Sequence, residues 1–294
     1  MPVRSLVALS LSILAALLAT GAAAAEGKIS VVAAENFYGN VAAQIGGDRV
    51  SVVSILNNPD QDPHLFEVSP AIIRQVAAAR VVICNGAGYD TWVEQVLGAT
   101  AKPDRVAIVA ADLLRRKNGD NPHLWYDPAV MPAVARALAE ALAAADPAHK
   151  DDFAARLATF LASLAPLDAK IAAIRNKYAG TVVTATEPVF GAMAQALKLS
   201  MTNERFQLAV MNDTEPSARD VAAFERDLKE RKVRVLFYNK QAATKLVQHL
   251  IALARASKIS VVGITETAPA GVSYQDWMQN ELDETERALA GPSS

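Results

Sequence analysis

The sequence predicts an α/β protein of two lobes, each a roughly four-stranded parallel sheet with flanking helices, joined by one long rigid helix. Three observations carry this reading. Short Val- and Ile-rich runs alternate with amphipathic stretches, the pattern of strands buried on both faces and covered by helices. These runs fall into two sets of four. Between the sets lie thirty residues, His149 to Tyr178, poor in glycine and apolar at helical spacing. A chain of 294 residues also exceeds what one compact core usually holds.

The elements follow in order. Residues 1–25 carry one early cation, Arg4, then an apolar run from Leu6 to Leu18 and the small-residue stretch Ala22 to Ala25. That is the layout of a secretory signal peptide, so export, cleavage near Ala25 and a periplasmic location are expected. The run is shorter than the ~20 residues of a membrane span, and no second run of span length is expected. No cysteine stands beside the cleavage region, so a lipid anchor is not expected.

The N-terminal lobe, residues 26–148, has strand runs at Ile29–Ala33, Val50–Ile55, Val81–Cys84 and Val106–Val109, with helices at Pro70–Ala79 and Pro128–Ala145. The connecting helix, residues 149–179, repeats apolar residues at Phe153, Leu157, Phe160, Leu164, Leu167, Ile171 and Ile174, with a kink expected at Pro166. At ~1.5 Å per residue it would reach about 45 Å, the length of a strut between lobes. The C-terminal lobe, residues 180–294, has runs at Thr181–Ala185, Phe206–Val210, Val233–Tyr238 and Ser260–Ile264, with helices at Ser217–Arg231 and Gln241–Ala256.

Composition removes whole classes of function. Twenty-nine basic residues against 31 acidic ones exclude a nucleic-acid binder that relies on a net basic field, and also an acidic disordered chain. One cysteine and four histidines exclude a disulfide scaffold and a thiolate zinc or iron–sulfur site. Cys84, inside an apolar run, reads as a core residue.

The chemistry lies in an echo. Asp62-Pro63-His64-Leu65-Phe66 recurs as Asn121-Pro122-His123-Leu124-Trp125, and each copy is soon followed by a capped helix start, Ser69-Pro70 or Asp127-Pro128. Proline stiffens the backbone before each imidazole, so less ordering entropy is lost when an ion binds. In the second lobe, Glu187 and Glu266 each follow a predicted strand, at the carboxyl edge where doubly wound sheets place ligands. His64, His123, Glu187 and Glu266 together make a candidate metal site in the cleft. The remaining candidates read as structure: His149 and His249 as surface or packing residues, Glu215 as a helix-start charge, Arg115 to Lys117 as a solvated loop, Tyr274 and Trp277 as packing.

The motifs Asp62 to Pro70, Asn121 to Pro128 and Glu187-Pro188-Val189-Phe190-Gly191, with Ser273 to Met278, give the chain a resemblance over nearly all of its mature length. It resembles the zinc- and manganese-binding periplasmic solute-binding proteins of ABC transporters, the metal-binding cluster A-I family. The resemblance implies two α/β lobes bridged by a long helix, one divalent metal ion between them as cargo, and a membrane permease of an ABC transporter as partner. It implies His64 and His123 as the first two ligands. Glu187 stands where many zinc-type members have histidine and manganese-type members have glutamate. The fourth position, usually aspartate, falls on Glu266, with Asp276 as the other candidate. The His-rich loop of many zinc importers is absent between Leu114 and Asn121.

Two imidazoles and two carboxylates, with the carboxylates free to chelate through both oxygens, suit manganese or iron, while zinc accepts the same ligands. The expected cargo is therefore manganese or zinc, or iron, held by a monomer with no nucleic-acid partner. Two other functions use the same ligands: a secreted metal-dependent hydrolase, and a periplasmic metal buffer or chaperone without a permease. The hydrolase lacks support from any His-Glu-x-x-His helix or nucleophile elbow.

Overall fold

The computed structural model describes residues 27–60, 63, 66–212, 214–242 and 244–291. The signal-peptide reading of residues 1–25 and the ligand reading of His64 fall outside the described residues. One sheet holds β1 (Ile29–Glu35), β2 (Val50–Leu56), β3 (Val81–Cys84) and β4 (Val106–Val109), all parallel, in the order β2-β1-β3-β4. The other holds β5 (Val182–Ala185), β6 (Ser200–Thr202), β7 (Val235–Asn239) and β8 (Ser260–Ile264), again parallel, in the order β6-β5-β7-β8. Central strands carry the continuous apolar runs: Val31 to Ala34 and Val81 to Cys84 are buried on both faces. The expected α/β architecture of two parallel sheets is thus the observed one.

Around the first sheet lie α1 (Asn36–Gly46), α2 (Pro70–Ala78), α3 (Thr91–Ala99), α4 (Ala110–Leu113) and α5 (Val130–Ala145). The strut is α6 (Lys150–Ser163) and α7 (Ala165–Tyr178). The second sheet is flanked by α8 (Gly191–Ala196), α9 (Glu204–Met211), α10 (Ala218–Lys229), α11 (Lys245–Ala256) and the C-terminal α12 (Tyr274–Ala290). Hydroxyl caps start several of these: Ser69 accepts from the Ile72 N–H ahead of Pro70, and Ser217, Thr244 and Ser273 do the same for α10, α11 and α12.

The structure corrects several expectations. Phe206–Val210 is helical, within α9, and the strand is Ser200–Thr202. Asn203, left-handed at φ 61°, turns the chain between them, and α9 buries Phe206 while exposing Leu208, as one-sided helical packing requires. The edge strand has one apolar residue, Met201, too little to signal a strand. Helix α5 begins at Val130, because Leu124–Tyr126 forms a 3-10 turn and Asp127 Oδ1 accepts the Ala129 N–H at 3.0 Å. Helix α11 begins at Lys245, not Gln241. The strut breaks at Leu164, with Pro166 in the first turn of α7, where a missing N–H goes unnoticed. Its first half packs on α1 and α5, its second on α12. By length and composition alone, residues 147–178 would reach across a membrane, contrary to the reading of no second such run. Phe153, Phe160, Leu167, Ile171 and Ile174 are buried against the lobes.

One apolar cluster runs through both lobes rather than stopping at the boundary. At its centre the rings of Phe37 and Trp125 lie 4.9 Å apart, Phe37 and Trp277 5.8 Å, Tyr126 and Trp277 5.6 Å, and Tyr126 and Phe190 5.4 Å. These rings come from both sides of the cleft and form a seam beneath it. Tyr274 and Trp277 are buried there, as packing residues.

Glu281 on α12 is buried beside this seam, and its Oε1 accepts from Trp277 Nε1 at 3.3 Å. Burial and the neighbouring Glu284 push its carboxyl up to about 8 from 4.5. The folded chain therefore holds a proton that the unfolded chain has released, so stability falls as pH rises from about 4.5 to about 8 and then levels off. Glu281→Gln is expected to stabilise the protein at about pH 8.5 by on the order of 2–4 kcal/mol, and by little near pH 5. Urea melts at the two pH values measure this; equal shifts at both would contradict the assignment.

Candidate metal centre

Strand order reverses at β1/β3 in the first sheet and at β5/β7 in the second, and the carboxyl ends of these strands meet in the cleft. Each proposed ligand enters from such an edge or from the loop facing it. His123 lies at the foot of the 3-10 turn Leu124–Tyr126 and is 1% exposed. Its Nδ1 is 2.7 Å from Asn121 Oδ1, which also accepts the His123 N–H at 3.1 Å, while Asn121 Nδ2 donates to Pro188 O at 2.7 Å. The Pro188 bond fixes which end of the Asn121 amide is oxygen. An amide oxygen only accepts, so Nδ1 carries a hydrogen, which in the neutral tautomer leaves the lone pair on Nε2.

That Nε2 stands 3.6 Å from Glu266 Oε2, with both side chains fully buried. With the ring in its neutral form, two acceptor atoms face each other in a dry site, a donor arrangement that suits a cation. Glu266 lies two residues beyond β8, and its Oε2 also accepts from the Tyr89 hydroxyl at 2.8 Å. Its backbone N–H donates to Gln241 Oε1 at 2.5 Å. Glu187 follows β5 and is 6% exposed. Asn239, the last residue of β7, joins the two: its Nδ2 donates to Glu187 Oε2 at 2.5 Å and to Glu266 Oε1 at 2.6 Å. Among the described residues no three His, Cys, Asp or Glu side chains form a complete metal-holding group. His123 and Glu266 adjoin, and Glu187 reaches them through Asn239.

His64 lies outside the described residues. The Phe66 N–H donates to Pro63 O at 3.2 Å and the Phe66 ring packs 5.3 Å from that of Trp92. Asp276 is exposed and belongs to the α12 cap, where its N–H donates to Ser273 Oγ at 3.1 Å. His149 pairs with Asp146 at 2.6 Å, His249 with Glu225 at 3.1 Å on α11, and Glu215 is exposed. None of these four stands with His123.

Sequence reasoning missed Tyr89, Asn239, Gln241 and Asn121, and a buried acid pair, Glu35 and Asp90. Tyr89 and Asp90 follow Gly86, Ala87 and Gly88, all at positive φ (74°, 54° and 85°), a tight loop after β3 that glycine permits. Asp90 accepts the N–H groups of Asn85 and Gly86 at 2.6 and 2.8 Å. Burial pushes Asp90 up to about 6 and, with Asp90 alongside, holds Glu35 well above the usual carboxylate range. Burial and Glu266 hold the Tyr89 hydroxyl well above the usual phenol range. Position at a strand's carboxyl end would have flagged Asn239 and Glu35.

The family described as zinc-uptake complex component A periplasmic (ZnuA) matches residues 31–288. The chain belongs to that family. A relative named as a putative metal-binding protein of Treponema pallidum is 24% identical over 287 residues, covering 90% of this chain and 88% of its own. The manganese ABC transporter substrate-binding lipoprotein PsaA of Streptococcus pneumoniae is 22% identical, covering 98% of both. Among solved structures, the periplasmic zinc-binding protein TroA of Treponema pallidum superposes with a TM-score of 0.76 at 19% identity, covering 90% of this chain and 99% of its own. This last likeness is one of fold: two lobes about a long bent helix.

Proposed function

We propose that the protein captures a divalent transition metal ion, manganese, zinc or iron, in the cleft between its lobes and delivers it to an ABC permease for import. His123, Glu187 and Glu266 hold the ion, with His64 from the loop of the first motif. The observation that carries this is the buried pairing of His123 Nε2 with Glu266 Oε2, two metal-ligating side chains 3.6 Å apart from opposite lobes. Family membership and relatives named as metal-binding or substrate-binding proteins support the same reading. They favour capture and transfer over hydrolysis or simple buffering. The chain is exported to the periplasm as a monomer, with its leader cleaved near Ala25.

The test is elemental analysis of the protein purified from its native compartment, followed by competitive Mn(II)/Zn(II) titration and thermal melts. A ligand that binds only the folded state at a hundredfold excess over Kd adds about 2.7 kcal/mol, a rise of roughly 5–10 °C in Tm. A melting curve unmoved by saturating Mn(II) and Zn(II) would defeat the proposal. Deleting the gene should reduce metal uptake, whereas loss of a buffer would leave uptake intact.

A further inference from the structure

We propose that Asn36 is a positioning residue for Glu266: it docks the loop that carries this carboxylate onto the first lobe and so slows the escape of a bound cation. The inference rests on the capture reading above and concerns what holds one side of that site in place.

Helix α1 carries Asn36, Asn40 and Gln44 at four-residue spacing, a row along one face. Its apolar face, with Phe37, Val41 and Ile45, is buried in the first lobe, while the amide row meets the chain that leaves β8. Asn36 Nδ2 donates to Ala268 O at 2.7 Å, and Asn36 Oδ1 accepts the Ala268 N–H at 3.0 Å. This reciprocal pair also settles which end of the Asn36 amide is nitrogen, because the Ala268 N–H must find an oxygen. Asn40 Oδ1 accepts the Tyr274 N–H at 3.0 Å. The side chains of Gln44 and Gln275 exchange two bonds, at 3.0 and 2.8 Å, and Gln275 Nε2 continues to Ser163 Oγ at 2.7 Å, at the end of α6.

Ala268, 3% exposed, lies two residues beyond Glu266. On the other side of Glu266, the Tyr126 hydroxyl donates to Thr265 O at 2.9 Å. The first lobe thus grips the backbone just before Glu266 and again just after it, besides the Tyr89 bond to its Oε2. Glu266 issues from a strand of the second sheet, yet its backbone is tied to the lobe that bears His123, whose Nε2 its carboxylate faces at 3.6 Å. Freed at Ala268, the loop would let that carboxylate drift from the imidazole. A ligand held less firmly shows chiefly in how fast the ion leaves, not in how fast it arrives. The effect should fade along the row, since Tyr274 and Gln275 lie eight and nine residues beyond Glu266.

The experiment is stopped-flow release of Zn(II) from the zinc-loaded protein into excess chelator, with Zn(II) association rates and urea melts of the metal-free form. Asn36→Ala is expected to speed release about fivefold or more and to leave association within about twofold of wild type. Gln44→Ala, at the far end of the row, should speed release less. Val76→Ala is the control for stability alone: that side chain is fully buried on α2, in a cluster apart from the seam, so its loss should lower the urea midpoint without speeding release. Asn36 is only half-buried; should Asn36→Ala still not fold, Asn36→Ser, one bond shorter than the amide, reads the same rate. Release unchanged in a folded Asn36 variant, or speeded equally by Gln44→Ala or Val76→Ala, would overturn the inference. Failure of wild type to bind Zn(II) or Mn(II) would instead overturn the capture reading.

Discussion

His123→Ala is expected to weaken binding of both Zn(II) and Mn(II) by about 100-fold or more while leaving the fold intact. Loss of a residue that merely orients a ligand typically costs 10–100-fold, and His123 is placed to touch the ion itself. Its ring sits on a stiffened turn, its proton is assigned to Nδ1 by Asn121, and its Nε2 faces Glu266. Asn121→Ala should therefore weaken binding too, by less, because the imidazole survives but its tautomer and aim are no longer held. His249→Ala is the control: that side chain is 57% exposed and pairs with Glu225 away from the cleft. Calorimetry on the three variants measures the order; His123→Ala binding as tightly as His249→Ala would remove His123 from the site.

Trp125→Ala is expected to cost about 3–5 kcal/mol of stability, the range for deleting a large buried aromatic ring. Trp125 is wholly buried, with ring centroids of Phe37, Tyr89 and His123 at 4.9, 5.0 and 5.4 Å. Its Nε1 has no acceptor among the described residues, so Trp125→Phe should cost less than half as much, since it also removes a buried N–H. Urea denaturation of the metal-free proteins tests both. A loss under about 1 kcal/mol for the alanine variant would show that the cluster tolerates a void there. Because the same ring supports His123 and Tyr89, the alanine variant should also bind metal more weakly than its folded fraction explains.

Much of this was legible from residues alone, for identifiable reasons. Val31 to Ala34 and Val81 to Cys84 announce central parallel strands because both faces of such strands are buried. Edge strand β6 has no such requirement and left no signal, which is why the apolar residues of α9 drew the strand assignment instead. At the site, His123 is marked by its repeated Pro-His-Leu-aromatic setting, and Glu187 and Glu266 by their positions just beyond β5 and β8. Asn239 and Tyr89 act through partners 27 and 177 residues away in sequence, and no local pattern encodes such a pairing. Glu281 was equally silent, since an acidic residue on an amphipathic helix ordinarily faces water and only packing against the second lobe turned this one inward.

The aromatic seam bears on how cargo gets in and out. Each large ring carried fully from such a core into water costs roughly 4–6 kcal/mol. Phe37, Trp125, Tyr126, Phe190 and Trp277 touch in a chain that crosses from lobe to lobe, so a wide hinge opening would wet several rings at once. An opened form would then be partly melted, populated only as rarely as that cost allows. The seam accordingly argues against entry and exit of an ion by a wide swing of whole lobes.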